Sequence, residues 1–195
     1  NGEDNIISWD GATEATISSA FLKGKILSYW YNRLWSTNQA SNTNRVTFTD
    51  EYVETQQSNG FVIPDGPAGD ESLITAFNYN SYLYVGNNKG VALIARPVVL
   101  DATVGLNPEY IRVIPGVRYG PVSHRTVQIV NGYVYWLGSD GHIYRFDGSN
   151  AVNISKSKIL GTRDDLNLNQ LTGACSASFN NKYFLAVPVS GATTN

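Results

Sequence analysis

The sequence has 195 residues, a formal net charge of −2 and only 15% charged residues, which suits one domain or a slice of a larger one. The slight acidic excess is unlike the basic surface of a nucleic-acid-binding protein, and no apolar stretch approaches the roughly 20 residues that span a bilayer. We therefore expect neither sequence-specific nucleic-acid binding nor a membrane span. The single cysteine excludes an intrachain disulfide, so the fold must rest on its hydrophobic core.

The predicted elements, in chain order, are mostly hairpins of apolar and aromatic residues with Asn- and Gly-containing turns. The first part of the chain is predicted to contain a strand at 4–11, a short helix at 15–22, a hairpin at 27–35, a strand at 45–49 and an irregular linker at 55–71. The middle part has a hairpin at 74–85, a strand at 91–94 and an irregular linker at 97–121. The last part has a hairpin at 127–136, a strand at 142–146, a short helix at 154–160 and a hairpin at 175–187.

The turns inside these hairpins carry the strongest local signals. Asn131-Gly132 is typical of a two-residue type I′ turn, because both residue types tolerate a positive φ. Asn80-Ser81 and Asn180-Asn181 are weaker versions of the same signal.

The hairpins recur at a nearly constant interval. Spacings of 49, 51 and 50 residues separate four aligned positions, Leu34, Leu83, Val134 and Phe184. A period near 50 residues with several strands in each unit is typical of a β-propeller. We therefore predict an all-β fold with about four blade-like repeats.

The repeat divides the chain into three whole units at 25–72, 73–122 and 123–172, with partial units at 1–24 and 173–195. Residues 4–11 resemble residues 141–148, and both segments end in aromatic-Asp-Gly, so the N-terminal segment is predicted to be the last strand of a preceding blade. Since the sequence also has no Met, we favour a segment of a longer propeller, usually of about 4–8 blades. The alternative is that the two termini close a ring by sharing strands.

Residues with catalytic potential are few. His124 and His142 lie near Ser123 and Ser139, but the chain has no Gly-x-Ser-x-Gly nucleophile pattern, so we interpret both histidines as structural. Cys175 stands alone in a predicted strand and is expected to be a buried structural thiol.

Neither a metal site nor a glycosidase site can be assembled from the acidic residues. Asp70-Glu71 and Asp164-Asp165 are predicted to be solvated turns, and no carboxylate has calcium-loop spacing. The turn Ser139-Asp140-Gly141 is the nearest approach to a sialidase-type repeat and fails its spacing, and no opposed pair of carboxylates can be nominated for hydrolysis. We therefore expect a protein that is not an enzyme and has no cofactor, and we keep a glycosidase-type propeller as the least favoured alternative.

The tryptophans are candidate ligand-binding or interface aromatics, because an indole ring presents a flat apolar face with a polar edge. The four are Trp9, Trp30, Trp35 and Trp136. Trp35 and Trp136 occupy equivalent or nearly equivalent repeat positions, which favours packing over ligand binding. A glycan- or receptor-binding propeller on a virion or cell surface stays open as an alternative function.

Several segments resemble tail proteins of tailed bacteriophages. The run Tyr-Asn-Arg-Leu-Trp at 31–35, followed by Asn-Arg-Val-Thr-Phe-Thr-Asp at 44–50, is similar to an aromatic-Asn-Arg-Leu-Trp strand and an Asn-Arg-Val-aromatic-Ser-Asp segment in that family. Further agreement lies at 70–85, 120–127, 141–148 and 181–188. The likeness covers roughly residues 28–190 and is to the β-propeller of short-tailed phage nozzle or tail tubular proteins.

The resemblance implies a structural role in a virion. In that family the propeller is a part of the tail, and copies form a homo-oligomeric ring around the DNA channel and connect the adaptor to the tail fibres or tip. It implies no catalytic residue. We therefore expect a phage tail component that acts during DNA ejection by assembly rather than by turnover.

Overall fold

The structure, a computed structural model, describes residues 6–16, 24–40, 42–49, 57–62, 72–95, 111–155 and 166–190, with the backbone alone for residue 42 and for 57–62. Among these residues the regular structure is β-strand, apart from two 3₁₀ turns at His124–Thr126 and Leu168–Gly173. The strands form several antiparallel sheets, none of which closes on itself. The predicted all-β fold class is confirmed.

Three of the sheets have four strands each, and in each sheet neighbours in the chain are neighbours in space. Sheet 1 consists of β3 (Gly24–Trp30), β4 (Arg33–Gln39), β5 (Asn42–Thr49) and β6 (Gln57–Val62). Sheet 2 consists of β7 (Thr75–Tyr79), β8 (Tyr82–Asn87), β9 (Gly90–Ile94) and β10 (Ile111–Val113). Sheet 3 consists of β11 (Gln128–Val130), β12 (Tyr133–Leu137), β13 (Ile143–Phe146) and β14 (Ala151–Asn153).

Two further sheets have two strands each. The N-terminal half-sheet pairs β1 (Ile7–Trp9) with β2 (Glu14–Thr16). The C-terminal half-sheet pairs β15 (Cys175–Phe179) with β16 (Lys182–Ala186).

The first two strands of sheets 1 to 3, and the two strands of the C-terminal half-sheet, are joined by a two-residue turn with positive φ at both residues. The turns are Tyr31-Asn32 (56°, 55°), Asn80-Ser81 (49°, 66°), Asn131-Gly132 (50°, 74°) and Asn180-Asn181 (47°, 58°). The last three were predicted and are confirmed, whereas Tyr31-Asn32 was missed because Tyr is not a turn signal. The second residue after the fourth turn is Tyr183, so the alignment of Phe184 with Leu34, Leu83 and Val134 is wrong by one position.

Parts of the predicted linkers and of one predicted helix are strands. The linkers at 55–71 and 97–121 contain β6 and β10, each the fourth strand of its sheet. Ala15 and Thr16 belong to β2, so the predicted helix at 15–22 is wrong there, and its remaining residues lie outside the described part. Ile154 donates its N–H to the carbonyl of Ile143 at 3.0 Å and extends the β13 ladder, whereas 156–160 of the second predicted helix are not described.

Sheets 1 to 3 and the C-terminal half-sheet pack face to face in chain order. One core cluster joins Trp35 and Phe48 of sheet 1 to Leu83 and Val85 of sheet 2. On the opposite side of sheet 2, a second cluster joins the sheet to sheet 3, and a third joins sheet 3 to the C-terminal half-sheet. We call the side of a sheet that meets the next one its forward face and the other side its back face. Because side chains alternate along a strand, each complete sheet offers one set of residues to each neighbour.

The N-terminal half-sheet repeats the outer half of sheet 3. The carboxylate of Asp10 accepts the N–H of Thr13 at 2.6 Å, and the carboxylate of Asp147 accepts the N–H of Asn150 at 2.8 Å in the equivalent turn. Gly11 and Gly148 follow with φ of 99° and 102°. β1 therefore corresponds to β13, a third strand, and β2 to the fourth, so the prediction that 4–11 is a last strand is wrong by one strand.

Candidate functional site

The interfaces between consecutive sheets are the most elaborate contacts in the described residues, and they repeat. At each one, a side chain near the hairpin turn of one sheet donates a hydrogen bond to the carbonyl of the second turn residue in the next sheet. The pairs are Trp30 with Ser81 (3.1 Å), Tyr79 with Gly132, and Asn131 with Asn181 (3.3 Å). The partners are 51, 53 and 50 residues apart, so the contact has the period of the sequence repeat.

Aromatic rings fill the interface between sheets 2 and 3. Tyr84 stacks on Phe77 with ring centroids 5.3 Å apart, and its ring meets Phe146 of sheet 3 edge-on at 5.3 Å. Its hydroxyl donates to the carbonyl of Gly148 at 3.3 Å. Burial in this apolar cluster raises the pKa of Tyr84 to about 12.

The contact between sheet 3 and the C-terminal half-sheet centres on Tyr183. Its ring stacks on Tyr135 at 5.7 Å, and its hydroxyl donates to the carbonyl of Thr126 at 2.8 Å. Burial raises the pKa of Tyr183 as well. Gln128 adds a bond from its side-chain amide to the carbonyl of Ser176 at 3.2 Å. The C-terminal half-sheet is therefore held against sheet 3 by contacts of the same kind as those that join the complete sheets.

The structure separates the four tryptophans. Trp30, Trp35 and Trp136 are buried in the core, and each donates its indole N–H to a backbone carbonyl, at Ser81, Trp30 and Tyr119 respectively. Their burial favours the packing interpretation, since a buried ring presents no face to a ligand. Trp9 is the exception, because 66% of its surface is exposed.

The forward face of the C-terminal half-sheet is apolar and uncovered. Phe184 is 50% exposed, although the equivalent residues Trp35 and Tyr84 are buried by the sheet that follows them. Phe179 on the same face is 68% exposed. Cys175 also lies there and is exposed, so the prediction of a buried thiol is wrong, because no described residue packs over this face.

A matching uncovered surface lies at the beginning of the array. Leu27 and Tyr29, on the back face of β3, are 43% and 64% exposed. Trp9 and Ile7 of the N-terminal half-sheet are also exposed, although Phe146, the equivalent of Trp9 in sheet 3, is completely buried. Apolar side chains are therefore exposed at both ends of the stack, at positions that are buried where one complete sheet packs on another.

The two histidines have structural partners. The Nδ1 atom of His124 lies 3.1 Å from the hydroxyl of Thr75 across the sheet 2–sheet 3 interface, and burial lowers the pKa of His124. The Nδ1 atom of His142 lies 3.2 Å from the hydroxyl of Ser155. Neither contact involves Ser123, which caps a 3₁₀ turn, or Ser139, whose hydroxyl donates to the carbonyl of Asn88 in the turn between β8 and β9.

The described aspartates are engaged in turns. Backbone N–H groups of Asn150 and Ser149, together with Arg145, hold the pKa of Asp147 below its usual value. Asp140 accepts the hydroxyl of Tyr144 at 2.7 Å. Within the described ranges there is no group of three or more His, Cys, Asp or Glu residues that could hold a metal ion. Asp70-Glu71 and Asp164-Asp165 lie outside those ranges.

Comparison with known proteins adds no family to these observations. No protein-family model matches the sequence, and no curated protein matches it significantly. Among the described residues, no helix is long and apolar enough to cross a membrane. The repeated interfaces and the sequence motifs are the features of this chain that bear on its function.

Proposed function

We propose that this chain is a structural component of a bacteriophage tail, a β-propeller segment of the nozzle or tail-tube type that works by oligomeric assembly around the DNA channel. The observation that carries the proposal is the repeated interface. The same turn contact and the same pair of faces join sheet 1 to sheet 2, sheet 2 to sheet 3, and sheet 3 to the C-terminal half-sheet. Such an architecture favours assembly over turnover.

The strand order supports a propeller. A propeller blade is an antiparallel four-stranded sheet whose strands follow in chain order, and sheets 1 to 3 have that topology. Blades pack face to face around an axis, and consecutive sheets here share a core cluster in the same order. A segment of a ring is expected to have apolar faces at both ends, where neighbouring blades pack on it, and both end faces of this stack are apolar.

The motif residues that resemble phage tail proteins contribute to this packing. Trp35, from the 31–35 motif, is 1% exposed, and Phe48, from the 44–50 motif, packs on it with ring centroids 4.7 Å apart. Phe146, from the 141–148 motif, is buried between sheets 2 and 3. The resemblance therefore supports a shared scaffold. A role in a tail, with adaptor and fibre proteins as partners, follows from the family and is proposed on that ground.

Phage assembly tests this proposal without assuming any enzymatic activity. The gene is inactivated, and particles from infected cells are examined by electron microscopy, with the intact gene supplied on a plasmid as the control. The proposal predicts DNA-filled heads with incomplete tails, restored by the plasmid. Complete, infectious tails in the absence of the gene would contradict it.

A further inference from the structure

We infer that the hairpin turn of sheet 3, Asn131-Gly132, is a site of spontaneous deamidation, and that conversion of Asn131 to aspartate or isoaspartate loosens the contact between sheet 3 and the C-terminal half-sheet. The inference concerns a chemical modification of the folded chain and goes beyond the proposed function. It does not depend on a role in a tail.

This turn is hydrogen-bonded to the sheets on both sides of it. The carbonyl of Gly132 accepts the hydroxyl of Tyr79 from sheet 2. The side-chain amide of Asn131 donates to the carbonyl of Asn181 in the C-terminal half-sheet at 3.3 Å. A chemical change at this turn therefore acts on two interfaces.

Both reacting groups of the turn are accessible. Asn131 and Gly132 are exposed, and a Cβ built on Gly132 would meet no atom within 4 Å. The backbone N–H of Gly132 donates to no described residue, so no hydrogen bond within the described structure has to break before this nitrogen loses its proton. Glycine also has no Cβ to crowd its own nitrogen, and it moves easily between backbone conformations. The nucleophile and its target are therefore adjacent, exposed and unhindered.

The reaction needs water and no other reagent. The Gly132 nitrogen attacks Cγ of the Asn131 side chain, the new N–Cγ bond replaces the Cγ–Nδ2 bond, and the amide leaves as ammonia with the proton of the Gly132 N–H. Water then opens the succinimide ring at one of its two carbonyl carbons. Opening at Cγ gives aspartate, and opening at the main-chain carbonyl gives isoaspartate. Nothing is oxidised or reduced.

Either product removes a contact between sheets. An aspartate at this position carries a carboxylate, which only accepts hydrogen bonds, so it no longer donates to the carbonyl of Asn181. An isoaspartate also adds a carbon atom to the main chain inside a turn whose two residues have φ of 50° and 74°. That insertion moves the carbonyl of Gly132 away from the hydroxyl of Tyr79.

Mass spectrometry of the full chain, aged in mildly alkaline buffer, tests the site. Trypsin releases residues 126–145 as one peptide, in which Asn131 is the single Asn. The matched control is Asn180 in the same chain, because it is the exposed first residue of an equivalent turn and precedes Asn181 instead of glycine. Asn131 is expected to convert about tenfold faster, since the Cβ of Asn181 crowds the attacking nitrogen in the control turn.

A sample unfolded in urea in the same buffer shows how fast the reaction runs without the fold. Faster conversion of Asn131 than of Asn180 in the folded chain supports the proposal. Conversion of Asn131 in urea but not in the folded chain would overturn the site. Equal rates at the two residues in the folded chain would overturn it as well.

Hydrogen exchange tests the effect on the interface. Asn131→Asp reproduces one product, and the amides of β15 and β16 are expected to exchange about two to ten times faster than in the wild type, as for the loss of one hydrogen bond. Asn180→Asp adds the same charge at the same interface, although the Asn180 side chain forms no hydrogen bond with a described residue, so it should leave exchange unchanged. Exchange that stays at the wild-type rate in Asn131→Asp, or that increases equally in both variants, would overturn the coupling. If Asn131→Asp does not fold, aged wild-type protein gives the same comparison.

Discussion

The hydroxyl of Tyr79, at the end of the first strand of sheet 2, donates a hydrogen bond to the carbonyl of Gly132, the second turn residue of sheet 3. Trp30 makes the same contact to Ser81 one sheet earlier, although its donor is an indole nitrogen. The donor group differs between the two interfaces, whereas the acceptor is the carbonyl of the second turn residue in both. The two-residue turns therefore help to position each sheet on the next.

Replacing Tyr79 by Phe removes the donor and keeps the ring. We expect the free energy of unfolding to decrease by about 0.5–1.5 kcal/mol, the usual net value of one hydrogen bond. Tyr29→Phe is the control, because the Tyr29 hydroxyl bonds within its own unit to Asn32 and the side chain is 64% exposed. Chemical denaturation of both variants measures the difference, and equal losses would contradict a special role for the contact between sheets.

The two kinds of tryptophan should respond very differently to truncation. Trp136→Ala empties a completely buried site between sheets 2 and 3 and is expected to cost about 3–5 kcal/mol. Trp9→Ala removes an exposed ring and should change the stability of the monomer by less than about 0.5 kcal/mol. Denaturant titration of the two variants compares them, with Trp136→Phe as a milder substitution if the Ala variant does not fold. Similar losses at both positions would contradict the assignment of Trp136 to the core.

Introducing a glycine at one hairpin turn and removing a glycine from another should change the free energy of unfolding in opposite directions. Ser81 has a φ of 66°, so Ser81→Gly should raise the free energy of unfolding by about 0.5–1 kcal/mol through relief of backbone strain. Gly132 has a φ of 74°, so Gly132→Ala should lower the free energy of unfolding by about 1 kcal/mol or more, although the space beside it is open. Thermal unfolding of both variants measures the two changes. Stabilisation by Gly132→Ala would contradict the turn geometry.

High pH should loosen the interface between sheets 2 and 3. The pKa of Tyr84 is raised from 10.0 to about 12, so the folded protein favours the neutral phenol. The stability linked to Tyr84 is therefore fully present below pH 10 and is lost as the pH rises through 12. The difference in phenolate absorbance between the wild type and Tyr84→Phe isolates this titration. A midpoint near 10 for that difference would contradict burial of the hydroxyl.

The alternative of glycan binding also has a distinct expected result. Among the four candidate tryptophans, Trp9 alone presents its ring to solvent in this structure. An array of bacterial glycans probed with the purified chain should give no reproducible signal under the tail-component proposal. Binding that is lost in Trp9→Ala and retained in Tyr29→Phe would favour the receptor-binding function instead.

The sequence predicts the inner part of each repeat well, because local chemistry determines it. Asn131-Gly132 favours positive φ at two consecutive residues, and the apolar residues that follow pack on a neighbouring sheet. The fourth strands could not be predicted in the same way. Residues 57–62 include Gln, Ser, Asn and Gly and carry little strand signal, while 111–113 form a strand of only three residues, and the two segments pair with β5 and β9 respectively.

The exposure of Cys175 shows a second limit of sequence reasoning. A small apolar residue beside Ala in a predicted strand is normally buried, and its equivalent in sheet 2, Thr75, has no exposed surface. Cys175 is exposed because burial at this position depends on the sheet that comes next, not on the strand's own residues. The end of a repeat array is therefore where sequence patterns and observed burial differ.

The central claim, that this chain is built into a phage tail, is tested most directly by imaging. Purified virions are labelled with a gold-conjugated antibody raised against the chain and examined by electron microscopy, with virions mixed with preimmune antibody as the control. The account predicts gold confined to the tail. Virions whose tails carry no label, while disrupted particles of the same preparation also lack the protein on immunoblots, would contradict it.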